Sequence, residues 1–327
     1  MLPSFSIVRP TSLDEALAQL AAGDARIHGG GTDLLGCLHD GVFATPKVVS
    51  LSRIQELRGI TRTADGGLRI GALTTIAELI ASGDVAERYR ALHQAAQVVA
   101  SPQLRNQGTL AGNLCQKPRC WYYRGEFHCL RKGGERCFAF EGENQYHCIF
   151  GGDTCFIVHP SDTAPALAAH GAVCRVSGPS SSRSVPVDAL HVRPSQDPQR
   201  ETVLDPDEVV TEIVLPPAPA GVRSSYRKVR ARASWNFALA GVAMAVRFDG
   251  AQVADARVFL SGAAPVPWRA AGVEQAIVGR ALDAATIAAA AEAAVAGAEP
   301  LAKNGYKLPL FRGLITDELE KIATRTV

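Results

Sequence analysis

Six of the eight cysteines in this 327-residue chain fall between Cys115 and Cys155. A stretch that is long, irregular and polar is uncommon inside a compact domain unless something internal orders it. Disulfides are the first thought, but disulfide scaffolds are short and cysteine-dense throughout, whereas this chain is long and its thiols are unevenly placed. Cys120, Cys129, Cys137 and Cys155 are separated by 8, 7 and 17 residues, with Cys148 as a fifth candidate. Four thiolates converging under an apolar cover are what an iron-sulfur cluster requires. Trp121, Tyr122, Tyr123, Phe127, Phe138, Phe140, Tyr146 and Phe150 supply such a cover. The CxxC pairs of zinc ribbons are absent, yet the spacing also allows a structural zinc recruiting His128 or His147, or unligated thiols. Cys37, Cys115 and Cys174 read as small core residues, with Cys115 in reserve for the cluster.

The remainder of the chain is long enough for two or three packed domains. Lys plus Arg is 34 against 32 Asp plus Glu, so a net charge of +2 leaves no excess to neutralise a phosphate backbone,. A nucleic-acid partner is excluded on that ground. Hydrophobic residues at 47% against 20% charged are enough to bury a core,. The opening residues lack a basic start followed by an apolar run, and nowhere do eighteen apolar residues run together. The expectation is a folded chain without its own export signal or a membrane span, cytoplasmic by default.

Periodicity divides the chain into three regions. Residues 1–57 read as a β-α-β-α-β lobe, with Ser12 to Glu15 fitting a capping box and Leu13, Ala16, Leu17 and Leu20 forming a helical stripe,. Residues 58–218 hold a strand from Leu68, helical patterns of which the longer spans residues 85–99, the cysteine-rich insert at about 115–155, and strands at 173–176 and 209–215. The low-complexity patch at 177–184 reads as loop. Prolines at 216, 217 and 219 mark a boundary, since they lack amides to extend a sheet,. Residues 219–327 read as strands near 225–232, 238–248 and 254–260, then helices at 281–296 and 310–323, an α+β lobe,.

Two glycine turns carry the remaining chemistry. In Gly29-Gly30-Gly31-Thr32-Asp33 the missing side chains let backbone amides turn around an anion, although a tight connection needing positive φ explains the same residues,. Thr109-Leu110-Ala111-Gly112-Asn113 offers a hydroxyl, a flexible backbone and an amide. Neither is the GxGxxG of a Rossmann unit. Two such turns in separate lobes could grip the two ends of a dinucleotide. The run from Tyr226 to Arg232 alternates as a strand, putting Lys228, Arg230 and Arg232 on one face, which suits a pyrophosphate or an acidic partner and is more often a solvated face,. No GxSxG, HExxH or P-loop is present, and His159 and His170 have no nameable catalytic partner. A hydrolase has no residue to stand on.

Taken together, Ile27-His28-Gly29-Gly30-Gly31-Thr32-Asp33-Leu34-Leu35, Thr109 to Asn113, Pro160-Ser161-Asp162 and Tyr226-Arg227-Lys228 occur in the order seen in FAD-binding medium subunits of the molybdenum hydroxylases, the xanthine dehydrogenase family. The insert resembles the branch whose flavin subunit also holds a [4Fe-4S] cluster, periplasmic aldehyde oxidoreductases and 4-hydroxybenzoyl-CoA reductases. Residues 103–107, Arg119-Cys120 and 226–234 are most similar to the aldehyde oxidoreductases.

The resemblance implies an α+β chain: a two-lobed FAD-binding domain of the PCMH/VAO type, then an α/β C-terminal domain of the CO dehydrogenase flavoprotein type. It implies FAD held by Ile27, His28, Gly29, Gly30, Gly31, Thr32, Asp33 and Leu34 and by Thr109, Gly112 and Asn113, with Asp162 and Lys228 at further flavin positions. Cys120, Cys129, Cys137 and Cys155 match the cluster ligands and Cys148 is a bystander. The partners implied are a large subunit with molybdopterin, a small subunit with two [2Fe-2S] clusters and an external electron acceptor. In the aldehyde oxidoreductase branch the complex can be exported to the periplasm on the small subunit's signal. A stand-alone FAD-dependent oxidase and a zinc-stapled scaffolding subunit are the competing readings.

Overall fold

The computed structural model describes residues 2–324. The first lobe runs β1 (Ser6–Val8), α1 (Leu13–Ala21), β2 (Ala25–His28), α2 (Leu34–His39) and β3 (Lys47–Ser50), with the strands in a parallel sheet of order β1-β3-β2. Parallel neighbours need crossovers, and α1 and α2 supply them. Ala16, Leu17 and Leu20 of the expected stripe are buried against Val49, Leu51 and Ile54. Only half of the expected capping box forms. Ser12 Oγ accepts from Glu15 N at 3.3 Å, but the Glu15 carboxylate takes the Thr11 amide at 2.8 Å.

The middle region holds β4 (Ile60–Arg62), β5 (Leu68–Gly71), α3 (Ile76–Ala81), α4 (Gly83–Arg88), α5 (Arg90–Gln97), α6 (Pro102–Arg105), α7 (Leu110–Leu114), α8 (Trp121–Arg124), α9 (Thr163–Ala169), β6 (Val173–Ser177), β7 (Ser182–Pro186) and β8 (Val209–Leu215). Its sheet is antiparallel with order β4-β5-β8-β6-β7. The fold departs from the sequence pattern at two places. The helix expected over 85–99 is broken at Tyr89, which leaves helical geometry (φ −129°, ψ 56°), is buried, and donates its hydroxyl to the Pro216 carbonyl at 2.7 Å. The serine-rich patch is a hairpin edge, because β7 pairs with β6 from Ser182 opposite Ser177 to Pro186 opposite Val173. An edge strand needs only its inner face apolar, and Val185 is its one buried side chain,.

The last region comprises β9 (Val222–Val229), β10 (Ala240–Asp249), β11 (Gln252–Ser261), β12 (Trp268–Arg269), α10 (Ala271–Ile277), α11 (Ala284–Ala293) and α12 (Lys307–Thr324), with an antiparallel sheet of order β12-β11-β10-β9. Val242, Met244 and Val246 alternate along β10 and pack on Val273, Ile287, Phe311 and Ile315 of the helices. Ile149 and Phe150, from the cysteine insert, join this core. Both of their amides donate to the Ala263 carbonyl, at 2.8 and 3.1 Å, which seats the insert on the C-terminal sheet.

Candidate functional site

The glycine loop between β2 and α2 leans directly on the segment before α7. A Cβ on Gly30 would lie 1.7 Å from the Gln107 carbonyl oxygen, and one on Gly29 would lie 2.9 Å from Thr109 Oγ1. Gly31 adds a φ of +76°, which favours glycine, and a Cβ there would meet His28 Nε2 at 2.6 Å,. The triple glycine is therefore required by close approach as well as by turning. Thr109 caps α7, its Oγ1 accepting from Gly112 N at 3.2 Å.

These contacts form one wall of a cleft of about 560 Å³, within the usual range of about 300–1,000 Å³ for small-molecule sites. Nine of the sequence candidates line it: Ile27, Gly29, Gly30, Gly31, Thr32, Asp33, Leu34, Thr109 and Gly112. Four do not. His28 packs beneath the loop, with Nδ1 3.3 Å from Ser50 Oγ. Asn113 turns its Oδ1 to the hydroxyls of Ser161 and Thr163, at 2.5 and 2.7 Å. Asp162 and Lys228 form a buried ion pair of 2.7 Å. Lys228 is thus no part of a solvated face; its Nζ also reaches the Val98 carbonyl at 3.4 Å, while Arg230 and Arg232 lie beyond the end of β9.

The cleft is also lined by residues that the sequence pattern does not mark. Lys117 and residues 199–202 line it, with the Lys117 ammonium paired to Glu201 and Arg131 Nη1 donating to the same carboxylate at 2.7 Å. No local motif marks Glu201, which lies 84 positions from Lys117. Cys37 and Cys115 also line this cleft, and burial pushes the Cys115 thiol up to about 12.

Asp33 ties the glycine loop to the cysteine insert. Its side chain makes no cap hydrogen bond to α2. Instead Oδ2 accepts from Lys117 N at 2.7 Å, and Oδ1 is 2.7 Å from Arg124 Nη2 and 2.9 Å from Arg119 Nη2. Three donors thus neutralise a carboxylate that would otherwise repel an anion in the cleft.

Within the insert, Cys120, Cys129, Cys137 and Cys155 all line one small cavity of about 10 Å³, walled by Tyr122, Tyr123, Phe138 and His147. The thiols encircle this space without meeting at a point: among the described residues, no group of three or more His, Cys, Asp and Glu side chains is placed to hold a metal ion. Cys155 hydrogen-bonds to Cys137 and lowers its pKa to about 7, while that bond and burial push Cys155 up. Cys120 Sγ is 3.3 Å from His147 Nε2, and burial lowers that imidazole to about 4. Cys148 is buried but does not line the cavity; burial raises its thiol and the nearby Lys307 opposes that. The aromatic cover is smaller than expected. Phe150 stacks on Trp268 at 5.0 Å in the C-terminal core, and Phe140 is exposed against Phe156.

Two family models span the chain. Residues 3–218 match the FAD-binding domain in molybdopterin dehydrogenase, and residues 224–322 match the CO dehydrogenase flavoprotein C-terminal domain. The chain belongs to the FAD-binding subunits of the molybdopterin dehydrogenases, the molybdenum hydroxylase family, and is an oxidoreductase subunit. It is 34% identical to the aldehyde oxidoreductase FAD-binding subunit of Escherichia coli K12, covering 94% of this chain and 95% of that one. It is 30% identical to the carbon monoxide dehydrogenase medium chain of Hydrogenophaga pseudoflava, covering 91% and 88%. The solved carbon monoxide dehydrogenase from Hydrogenophaga pseudoflava superposes with a TM-score of 0.77 at 28% identity, covering 97% and 96%. The expected architecture, an FAD-binding domain followed by a CO dehydrogenase flavoprotein C-terminal domain, is borne out.

Proposed function

We propose that this chain is the electron-transfer subunit of a heterotrimeric molybdenum hydroxylase of the aldehyde oxidoreductase type, holding FAD in the glycine-lined cleft and a [4Fe-4S] cluster on Cys120, Cys129, Cys137 and Cys155. The observation that carries it is that these four thiols, drawn from four separate points of the insert, line a single cavity while Cys148 faces elsewhere. The similarity to an aldehyde oxidoreductase FAD-binding subunit along nearly the whole chain supports the same reading.

In this reading the loop at residues 29–34 and Thr109 hold the flavin's phosphates through backbone amides and a hydroxyl, and Lys117 adds an ammonium that it shares with Glu201. Asp33 holds the loop against the insert and so fixes the separation of the two groups. Held there by the glycine loop and Thr109, FAD would supply the junction between one-electron centres and a two-electron acceptor. Tyr122, Tyr123 and Phe138 keep water from the thiols, the setting that tunes a cluster's potential. Seating a cubane there requires the Cys137 to Cys155 contact to open. No side chain of this chain needs to act on the organic substrate, which is oxidised on a molybdenum-bearing partner.

His147, 3.3 Å from Cys120 Sγ, favours a second reading in which a zinc ion takes mixed Cys and His ligands,. Elemental and flavin analysis of the complex purified with its partner subunits separates the two. About four irons with acid-labile sulfide and one FAD per chain are expected; stoichiometric zinc without iron would overturn the cluster, and absence of flavin would overturn the proposal as a whole.

A further inference from the structure

Between the cysteine insert and the connection from β9 to β10 lies another cavity, about 240 Å³ in volume. Its walls are mostly apolar: Trp121 and Tyr146 come from the insert, Phe237 and Leu239 from the connection. Cys120 also lines it. Two further lining residues carry unspent hydrogen-bonding capacity, because Arg119 Nε and His159 Nε2 are buried with no partner. Arg119 Nη2 is bonded to Asp33, and the guanidinium carbon lies over the Phe237 ring at 5.1 Å. A buried polar group left unpaired is unfavourable, and a ligand that pairs it gains by doing so. Arginine Nε–H can only donate, so an acceptor atom is what satisfies it. Burial keeps His159 neutral and able to either donate or accept.

We propose that this cavity binds a small planar electron acceptor with carbonyl oxygens, a quinone, beside Cys120. The proposal deepens the electron-transfer reading above and rests on it. A volume of 240 Å³ admits one or two fused rings and falls below the range of about 300–1,000 Å³ typical of larger ligands, so a nicotinamide dinucleotide does not fit. The aromatic walls match a flat ring, and Arg119 Nε matches a carbonyl oxygen. In the step the quinone gains two electrons from the reduced complex and two protons from solvent, replaced by the two released when the aldehyde and a water become a carboxylic acid on the partner subunit. Its two C=O groups become C–OH, no other bond of the quinone changes partners, and the aldehyde oxidised on the partner subunit is the source of the electrons.

The test uses the purified complex with its partner subunits and two probes, 1,4-benzoquinone as acceptor and hydroquinone as a redox-inactive ligand of the oxidised protein. Phe237→Ala removes one ring and Leu239→Trp fills the space. Each is expected to raise KM for benzoquinone roughly tenfold or more, Phe237→Ala through the loss of one stacking contact and Leu239→Trp through exclusion, while ferricyanide, which needs no pocket, is reduced at the parental rate. Calorimetry is expected to detect hydroquinone binding to the parent and its loss in Leu239→Trp. An unchanged benzoquinone KM and unchanged hydroquinone binding in both variants would overturn the site. If one variant does not assemble, the other decides alone. Flavin and iron content of the parent complex reports separately on the underlying reading: full content with unaltered quinone kinetics sinks only this cavity, whereas missing flavin and iron sinks both.

Discussion

Lys228 Nζ lies 2.7 Å from Asp162 Oδ2, with 1% and 5% of the two side chains exposed. The other carboxylate oxygen accepts from the Tyr226 hydroxyl at 2.7 Å. This joins β9 of the C-terminal sheet to the start of α9. Removing one partner strands a buried charge, at a cost of about 3–5 kcal/mol. Lys228→Met and Asp162→Ala are therefore expected to be severely destabilised in urea denaturation, and the double variant Asp162→Asn with Lys228→Met to be closer to the parent than the two losses added together.

Gly30 has no room for a methyl group. With a Cβ at 1.7 Å from the Gln107 carbonyl, Gly30→Ala must push the two glycine segments apart. The expected outcome is loss of FAD, read as the flavin-to-protein absorbance ratio. Gly83→Ala, where nothing lies within 4 Å of the new atom, is the matched control and is expected to retain full flavin.

Asp33→Asn keeps the size of the side chain and removes its charge. Arg119 and Arg124 then lose their shared anion, and charge-assisted bonds of this kind are worth about 1.5–3 kcal/mol. Limited proteolysis is expected to cut the insert about tenfold faster. Equal cleavage rates for variant and parent would show that the carboxylate does not hold the insert in place.

Cys148→Ser is expected to keep the full iron content, since its sulfur does not line the cavity of the other four thiols. Cys120→Ser and Cys137→Ser are expected to lose most of it. Iron loss in Cys148→Ser comparable to theirs would exchange the bystander and a ligand.

Acid sensitivity follows from two buried histidines. Burial lowers His170 and His191 to about 4, against about 6.5 in an unfolded chain. Below about pH 6.5 the unfolded state takes up these protons first, so stability falls as pH drops, and it continues to fall until about pH 4. Each fully buried histidine contributes about 1.4 kcal/mol per unit of pKa difference. Urea midpoints measured across this window are expected to decline, and the decline is expected to be shallower in His170→Gln.

Features governed by neighbours in sequence were legible without the structure. The β-α-β-α-β opening, the glycine turns and the crowding of thiols are all local patterns, and local patterns survive into the fold. What was missed depends on distant partners. Tyr89 breaks a helix because Pro216 offers a carbonyl, and nothing within the helix announces this. The edge strand at residues 182–186 carries one buried side chain, too few for a hydrophobic signal. Glu201 reads as an ordinary surface residue until Lys117 and Arg131 are seen to share it. Asp33 was legible as part of a glycine turn, whereas its bonds to Arg119 and Arg124 depend on how the insert folds back.

The insert is also fastened from the far end of the chain. Asn304 Nδ2 donates to the carbonyls of His147 and Cys148 at 3.1 and 2.9 Å, the second from 156 positions downstream. During translation that clasp does not exist until Asn304 has left the ribosome. At synthesis speeds of about 5–20 residues per second, the thiols spend roughly 10–30 s outside the tunnel before that clasp forms. On the cluster reading proposed above, that interval is when an iron donor would reach the thiols, and it closes as the last helix is released.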